Sequence, residues 1–288
     1  EVSADGLTYT FRLRASKWSN GDAVTANDFV FAMQRTVDPA TRSPFAASLD
    51  GIAGAKAIRE GKQAATTLGV TAPDDHTVVI QLTAPNEDFP AQLAGAPFYP
   101  CNRAFFEQCG GRYGLETAYT LSNGAFSLKS WHHNEYLVMV KNEHYRDADS
   151  IIPAAARYVI GQPENAAAAL QAGSLDAALV SAPTEGLTAM TLHDTITYLW
   201  MNNTQNGLSS AAVRRALRDA VEWNALWASR PDRTPATGYA APDAQLDGQP
   251  YRTEKNALIP ATNTDARQTL TKGLAALSLD ALPPLTLL

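Results

Sequence analysis

The side chains able to hold a metal or move a proton are scattered along the chain. The five histidines are His76, His132, His133, His144 and His193. None falls in an HExxH helix or in the spaced Cys/His pairs that build a zinc centre. His132 and His133 adjoin an expected hairpin turn, where exposed rings have at most a transient affinity for a soft metal. The two cysteines, Cys101 and Cys109, are too few for a disulfide scaffold. A helix over residues 100–108 would set their Cα atoms about 12 Å apart, beyond the roughly 7 Å that a bridge spans. A Cys101–Cys109 disulfide therefore requires a broken or very short helix, which Gly110 and Gly111 would permit.

Glycine-rich phosphate loops and a GxSxG nucleophile elbow are absent, so no serine carries an activation signal. Asp176 follows an expected helix and opens an expected strand, a place for a local hydrogen bond rather than proton transfer. We assign no catalytic residue, no resident metal and no cofactor from the sequence. The aromatics Tyr198, Trp200, Trp223 and Trp227 are the better chemical lead. Rigid rings give contact area at low entropic cost, which suits a ligand wall, although core packing is the favoured role for each ring taken singly.

Those residues need a scaffold, and the bulk composition sets its type. The chain has 288 residues, 45% hydrophobic and 18% charged, enough for two lobes with separate cores. Its formal charge of −6 comes without a basic stripe, which argues against nucleic acid as a partner. Arg214, Arg215 and Arg218 lie on one expected helix and read as its solvated face. No run reaches the roughly 18 apolar residues of a membrane helix. No signal-peptide pattern opens the sequence, which leaves the compartment undetermined.

Residues 8–14 alternate, with Tyr9, Phe11 and Leu13 on one face, and predict a strand. Asn20-Gly21 marks a turn. Thr25 and Asp28 have capping-box spacing, and Phe29, Val30, Met33 and Val37 follow at helical intervals up to Asp38-Pro39. A short helix at 53–60 and a strand at 77–82 come next, and prolines up to Pro100 suggest a boundary there. Residues 125–141 read as a hairpin whose second strand is the more fully buried. A strand at 158–160, a helix at 164–172 closed by Gly173, and strands at 175–180 and 195–201 suggest an α/β arrangement. A helix capped by Ser209 or Ser210 carries Val213, Leu217, Ala220 and Val221 inward. Beyond Arg230 the chain reads as loop until a helix at 265–277 and a strand opening at 285–288.

Taken in order, several segments resemble the dipeptide, oligopeptide and nickel solute-binding family of ABC importers, and most of all its oligopeptide-binding branch. They are residues 7–14 (LTYTFRLR), 17–22 (KWSNGD), 24–29 (VTANDF), 37–44 (VDPATRSP), 68–70 (LGV) and 74–77 (DDHT). The series continues with 122–126 (SNGAF), 128–131 (LKSW), 142–145 (NEHY), 172–176 (AGSLD), 201–204 (MNNT) and 213–217 (VRRAL). The resemblance implies an α/β, periplasmic-binding-protein-like class II two-lobe (Venus flytrap) fold with an additional small domain, present as an incomplete portion. It places residues 1–100 in the small domain, 101–199 in the first lobe and 200–288 at the beginning of the second.

The resemblance also implies extracytoplasmic capture of short peptides and their delivery to a membrane ABC permease, without enzymatic chemistry. The protein would be a monomer when complete, periplasmic or lipid-anchored to the outer face of the cell membrane. Its candidate ligand contacts are Asp50, Val180, Ser181 and Tyr198. The chain departs from the pattern at Ser209-Ser210, where the family carries an acidic residue, and near Asp50, where it offers a ligand-facing tyrosine. The part that supplies an acidic anchor for a peptide amino terminus has no counterpart in these residues. Alternative readings are binding of nickel or another small solute, peptide sensing, and hydrolysis in the interlobe cleft.

Overall fold

The alternating segment that opens the chain becomes strand β1 (Thr8–Arg12) in the computed structural model. The structure describes residues 1–161, 163–180, 185–190, 195–230, 233–234, 236, 238, 240–246, 248–251 and 265–285. They divide into two compact units, Glu1–Gly161 and Gln162–Leu288.

In the first unit the chain continues through α1 (Ala26–Val37), α2 (Ala55–Arg59), β2 (Val70–Asp74) and β3 (Thr77–Gln81). Strand β3 is central in an antiparallel sheet of order β1-β3-β2, with Tyr9 opposite Ile80 and Phe11 opposite Val78. Its inward residues Val78 and Ile80 meet Met33 and Val37 of α1, together with Leu49, Ile52 and Ile58. Phe29 and Val30 pack at the margin of this core. The helix stops where expected: Asp38 is extended and precedes Pro39, which no helix interior accepts.

Gly69 shows how tightly the sheet edge is built. Its N–H donates to the Ala53 carbonyl at 2.8 Å, and its own carbonyl accepts the Gln81 N–H at 2.8 Å. A Cβ there would lie 2.9 Å from Ala53 Cβ and 3.2 Å from two backbone oxygens. Gly69→Ala should therefore destabilise the protein by about 1–3 kcal/mol, read as a lower urea midpoint at unchanged slope. An unchanged midpoint would mean that the segment shifts freely.

After α3 (Phe89–Gln92) and α4 (Arg103–Gln108), β4 (Phe126–His132), β5 (Tyr136–Lys141) and β6 (Ala155–Val159) form a second antiparallel sheet in that order. Asn134, at φ 63°, takes the left-handed turn position. The expected burial of the second hairpin strand is not what β5 shows, since all six of its residues are half-buried. Its two edges are paired, but among the described residues its faces are only partly covered.

The second unit holds α5 (Pro163–Gln171), α6 (Ala211–Asp219), α7 (Trp223–Ala228), a two-residue-per-strand hairpin of β7 (Gln245–Leu246) and β8 (Gln249–Pro250), and α8 (Ala266–Ala275). Its core is Leu208, Val213 and Leu274, with Met201, Leu217 and Leu270 against it. Of the inward helix positions expected, Val213 and Leu217 hold, while Val221 lies past the end of α6 and is exposed.

Two expected strands are corrected. The described residues of 175–180 and 195–201 are not in a ladder. An apolar run becomes a strand only when neighbouring backbones pair with its N–H and C=O groups in a ladder. Helix α7 and the β7–β8 hairpin occupy stretches for which the sequence carried no prediction or predicted loop. Residues 286–288 of the last expected strand lie outside the described residues.

Candidate functional site

Asp50 ends the short 3-10 turn Ala46–Leu49, beside Gly51. Nine residues on, Arg59 at the end of α2 reaches back to it in a two-pronged pair. Arg59 Nε donates to Asp50 Oδ1 at 3.0 Å and Nη2 donates to Oδ2 at 2.7 Å. Both carboxylate oxygens thus have a guanidinium donor, the geometry that planar arginine favours. A ligand cation approaching Asp50 would compete with a fixed internal cation. This partner escaped the sequence reading because a nine-residue spacing through a turn has no helical or strand period.

The depression beside this pair is lined by Asp50, Lys56, Glu60 and Lys62, and Lys62 already binds Glu60 at 2.7 Å. A second cavity, about 180 Å³ in volume, lies against Ser48, Ile52, Leu82, Asn86 and Phe89. It falls below the roughly 300–1,000 Å³ of typical small-molecule sites. Its apolar lining is already part of the core, so it offers little new surface to a ligand.

Val180 and Tyr198 belong to the second unit, and Ser181 lies outside the described residues. Tyr198 is 62% exposed and Trp200, two positions on, is 80% exposed. Their ring centroids are 6.0 Å apart with the planes tilted by 45°. Residues two apart in an extended chain share a face, so the two rings form one small aromatic surface. Arg233 Nη1 donates to Thr197 Oγ1 at 2.6 Å just before it. Trp223 plays a different part: its indole N–H donates to the Arg218 carbonyl at 2.9 Å and closes the end of α6. The Trp227 side chain is outside the described residues.

The neighbouring histidines diverge. His132 stacks on Tyr136 at 4.4 Å between centroids, while His133 lies 4.3 Å from Trp131 and 3.2 Å from Glu116 Oε1. The two rings are thus engaged by different partners. Among the described residues no group of three or more His, Cys, Asp or Glu side chains could hold a metal ion. No described helix is long and apolar enough to cross a membrane.

Residues 1–274 match the sequence family described as bacterial extracellular solute-binding proteins, family 5 Middle. The chain belongs to this family. As a family 5 chain it is 28% identical to the dipeptide-binding protein DppE of Bacillus subtilis, over 99% of its own length and 54% of the relative's. It is 42% identical to the periplasmic murein peptide-binding protein MppA of Escherichia coli, over 60% of its length and 33% of the relative's. It also aligns with the structure of Listeria monocytogenes OppA bound to peptide at a TM-score of 0.81 and 26% identity, covering 98% of this chain and 59% of that one. The family 5 chain thus has the mixed α/β fold of the OppA structures and spans about half the length of the relatives it matches over its whole extent. The motif series read from the sequence points to the same family, whose members bind solutes rather than transform them.

Proposed function

We propose that this polypeptide belongs to a protein that captures short peptides outside the cytoplasm and delivers them to an ABC permease, without covalent chemistry. The observation that carries this reading is the likeness of 98% of the chain to a peptide-bound OppA structure. The divergent histidines and the absence of any nucleophile motif support binding over catalysis. Capture requires only that a ligand bind one arrangement of two lobes better than the other, which shifts the population toward the form a permease reads.

We assign residues 1–100 to part of the small domain, 101–199 to the first lobe and 200–288 to the beginning of the second. The compact division after Gly161 falls inside that first lobe. Tyr198 is the leading ligand contact, with Trp200 beside it, then Ser181 and Val180. Asp50 acts through its clasp on Arg59, which fixes the shape of the small domain near the ligand. The complete protein is a monomer, periplasmic or lipid-anchored to the outer face of the cell membrane.

Native mass spectrometry of the complete protein, purified under mild conditions, should reveal a mixed set of short peptides. A single metal complex, sugar or sterol would overturn the peptide reading. In calorimetric titrations with those peptides, Tyr198→Ala should weaken binding about tenfold, or about 1.4 kcal/mol. Unchanged affinity would remove Tyr198 from the site.

A further inference from the structure

The cysteines Cys101 and Cys109 flank α4 as buried free thiols, and the chemistry open to solvent lies elsewhere. Asparagine followed by glycine is the least hindered setting for a main-chain nitrogen to attack the carboxamide before it, because glycine has no Cβ in the way. The chain holds three such pairs, Asn20-Gly21, Asn123-Gly124 and Asn206-Gly207. The attack needs a carboxamide free to swing, a glycine N–H that is not donating, and solvent to take its proton. The fold grants these conditions unequally.

Asn20 is locked. Its Nδ2 donates to Asp22 Oδ2 at 2.6 Å, its Oδ1 accepts the Asp22 N–H at 3.1 Å, and the Gly21 N–H donates to the Trp18 carbonyl at 2.8 Å. Asn206 is exposed, but Gly207 is buried, with atoms of Leu282 and Pro283 3.1 Å from where its Cβ would stand. Gly124, in contrast, is exposed, and a Cβ on it would meet nothing within 4 Å. Neither its N–H nor the Asn123 carboxamide has a hydrogen-bond partner among the described residues. The main chain on both sides is tied down. The Ser122 carbonyl accepts the Ser19 N–H at 2.7 Å, and the Ser122 N–H donates to Ser19 Oγ at 3.3 Å. Beyond Asn123, the Gly124 carbonyl accepts Asn142 Nδ2 and the Ala125 carbonyl accepts the Asn142 N–H, each at 2.9 Å.

We propose that Asn123-Gly124 is a spontaneous modification site, converting with age to aspartate and isoaspartate, and that the isoaspartyl form parts the Trp18–Asp22 turn from the β4–β5 hairpin. The Gly124 nitrogen loses its proton to water or hydroxide and bonds to Asn123 Cγ, and the side-chain nitrogen leaves as ammonia. Water then opens the resulting succinimide. Cleavage of the new N–Cγ bond gives aspartate; cleavage of the original peptide bond gives isoaspartate, whose main chain runs through Cγ. One water is consumed and one ammonia released, with no change of oxidation state. Isoaspartate inserts a methylene between the Ser122 and Gly124 anchors, so both cannot hold. Release of the Gly124 carbonyl would leave Asn142 Nδ2 unpaired in a residue only 3% exposed.

For the test, the whole chain is incubated folded at mildly alkaline pH and sampled over time by peptide mapping that separates aspartate from isoaspartate. Product should accumulate at Asn123 at least several-fold faster than at Asn20 or Asn206, and the three rates should converge in urea. Gly124→Ala, which the open space admits, should slow Asn123 several-fold. In hydrogen exchange the isoaspartyl fraction should lose protection at the Ser19 or the Asn142 amide. Asn123→Asp, which carries the charge without the extra methylene, should keep both. Conversion at Asn20 or Asn206 that matches Asn123 in the folded chain would overturn the assignment. So would a folded Asn123 that stays intact while the unfolded chain converts, or a rate indifferent to Gly124→Ala. An isoaspartyl fraction with both amides protected would overturn the parting of turn and hairpin.

Discussion

Asp28→Ala should destabilise the first unit by about 2–4 kcal/mol, more than any other single change in its polar framework. Asp28 is the third residue of α1 and is buried. One oxygen, Oδ2, accepts both the Trp18 indole N–H at 3.1 Å and the Thr25 N–H at 2.9 Å. The Asp28 carbonyl takes the Cys101 N–H at 3.1 Å, so the residue lies at the junction of the opening turn, α1 and the entry to α4. Alanine leaves the Trp18 donor unpaired in a site where the ring is 2% exposed, and removes the return arm of the helix cap. Asparagine at this position can keep its carbonyl oxygen where Oδ2 stands, and with it both bonds. Asp28→Asn should therefore cost clearly less.

The two substitutions also differ with pH. Burial raises the Asp28 carboxyl above its ordinary value, and the bonds from Thr25 and Trp18 only partly oppose that rise. A carboxyl with a raised folded-state value binds its proton more tightly when folded. Its contribution to stability is complete below the unfolded value of about 3.9 and is lost as pH rises through the folded value. The amide of Asp28→Asn does not titrate, so its deficit against the wild type should shrink as pH rises above about 4. Urea titrations of both proteins across that range check the sign. A deficit that grows with pH would show that the charged form is the one the fold prefers.

What the sequence disclosed follows from how local its physics was. Strand β1, helix α1 with its Asp38-Pro39 stop, and the β4–β5 hairpin rest on periodicity, caps and turns within a dozen residues, and all three are present. The runs at 175–180 and 195–201 are apolar enough for strands, but a ladder depends on a partner elsewhere in the chain. The burial of β5 was misjudged for a related reason, because an apolar strand states a preference and only tertiary layers satisfy it. In the candidate site, the pairing of Tyr198 with Trp200 could be found from their spacing of two. The Asp50–Arg59 clasp could not, because it depends on how a 3-10 turn and a five-residue helix are oriented.

The second unit should fail at Gly273, where α8 comes closest to α6. A Cβ on Gly273 would lie 2.8 Å from Val213 Cγ2, 2.9 Å from the Val213 backbone nitrogen and 3.1 Å from Ala212 Cβ. A side-chain tip could swing aside, but a helix backbone cannot, so the helices must separate. Gly273→Ala gains about 1 kcal/mol of helix propensity, which partly masks the clash. Gly273→Val has less of that gain and adds branched bulk toward fully buried Val213, and should cost about 3 kcal/mol. The core affected is Leu208, Val213 and Leu274, none of which belongs to the core of the first unit. In hydrogen exchange, Gly273→Val should strip protection from α6 and α8 while α1 and β3 keep theirs. Full protection in α6 would mean that the helices can slide apart cheaply. Equal loss in β3 would mean that the two cores unfold as one cooperative body.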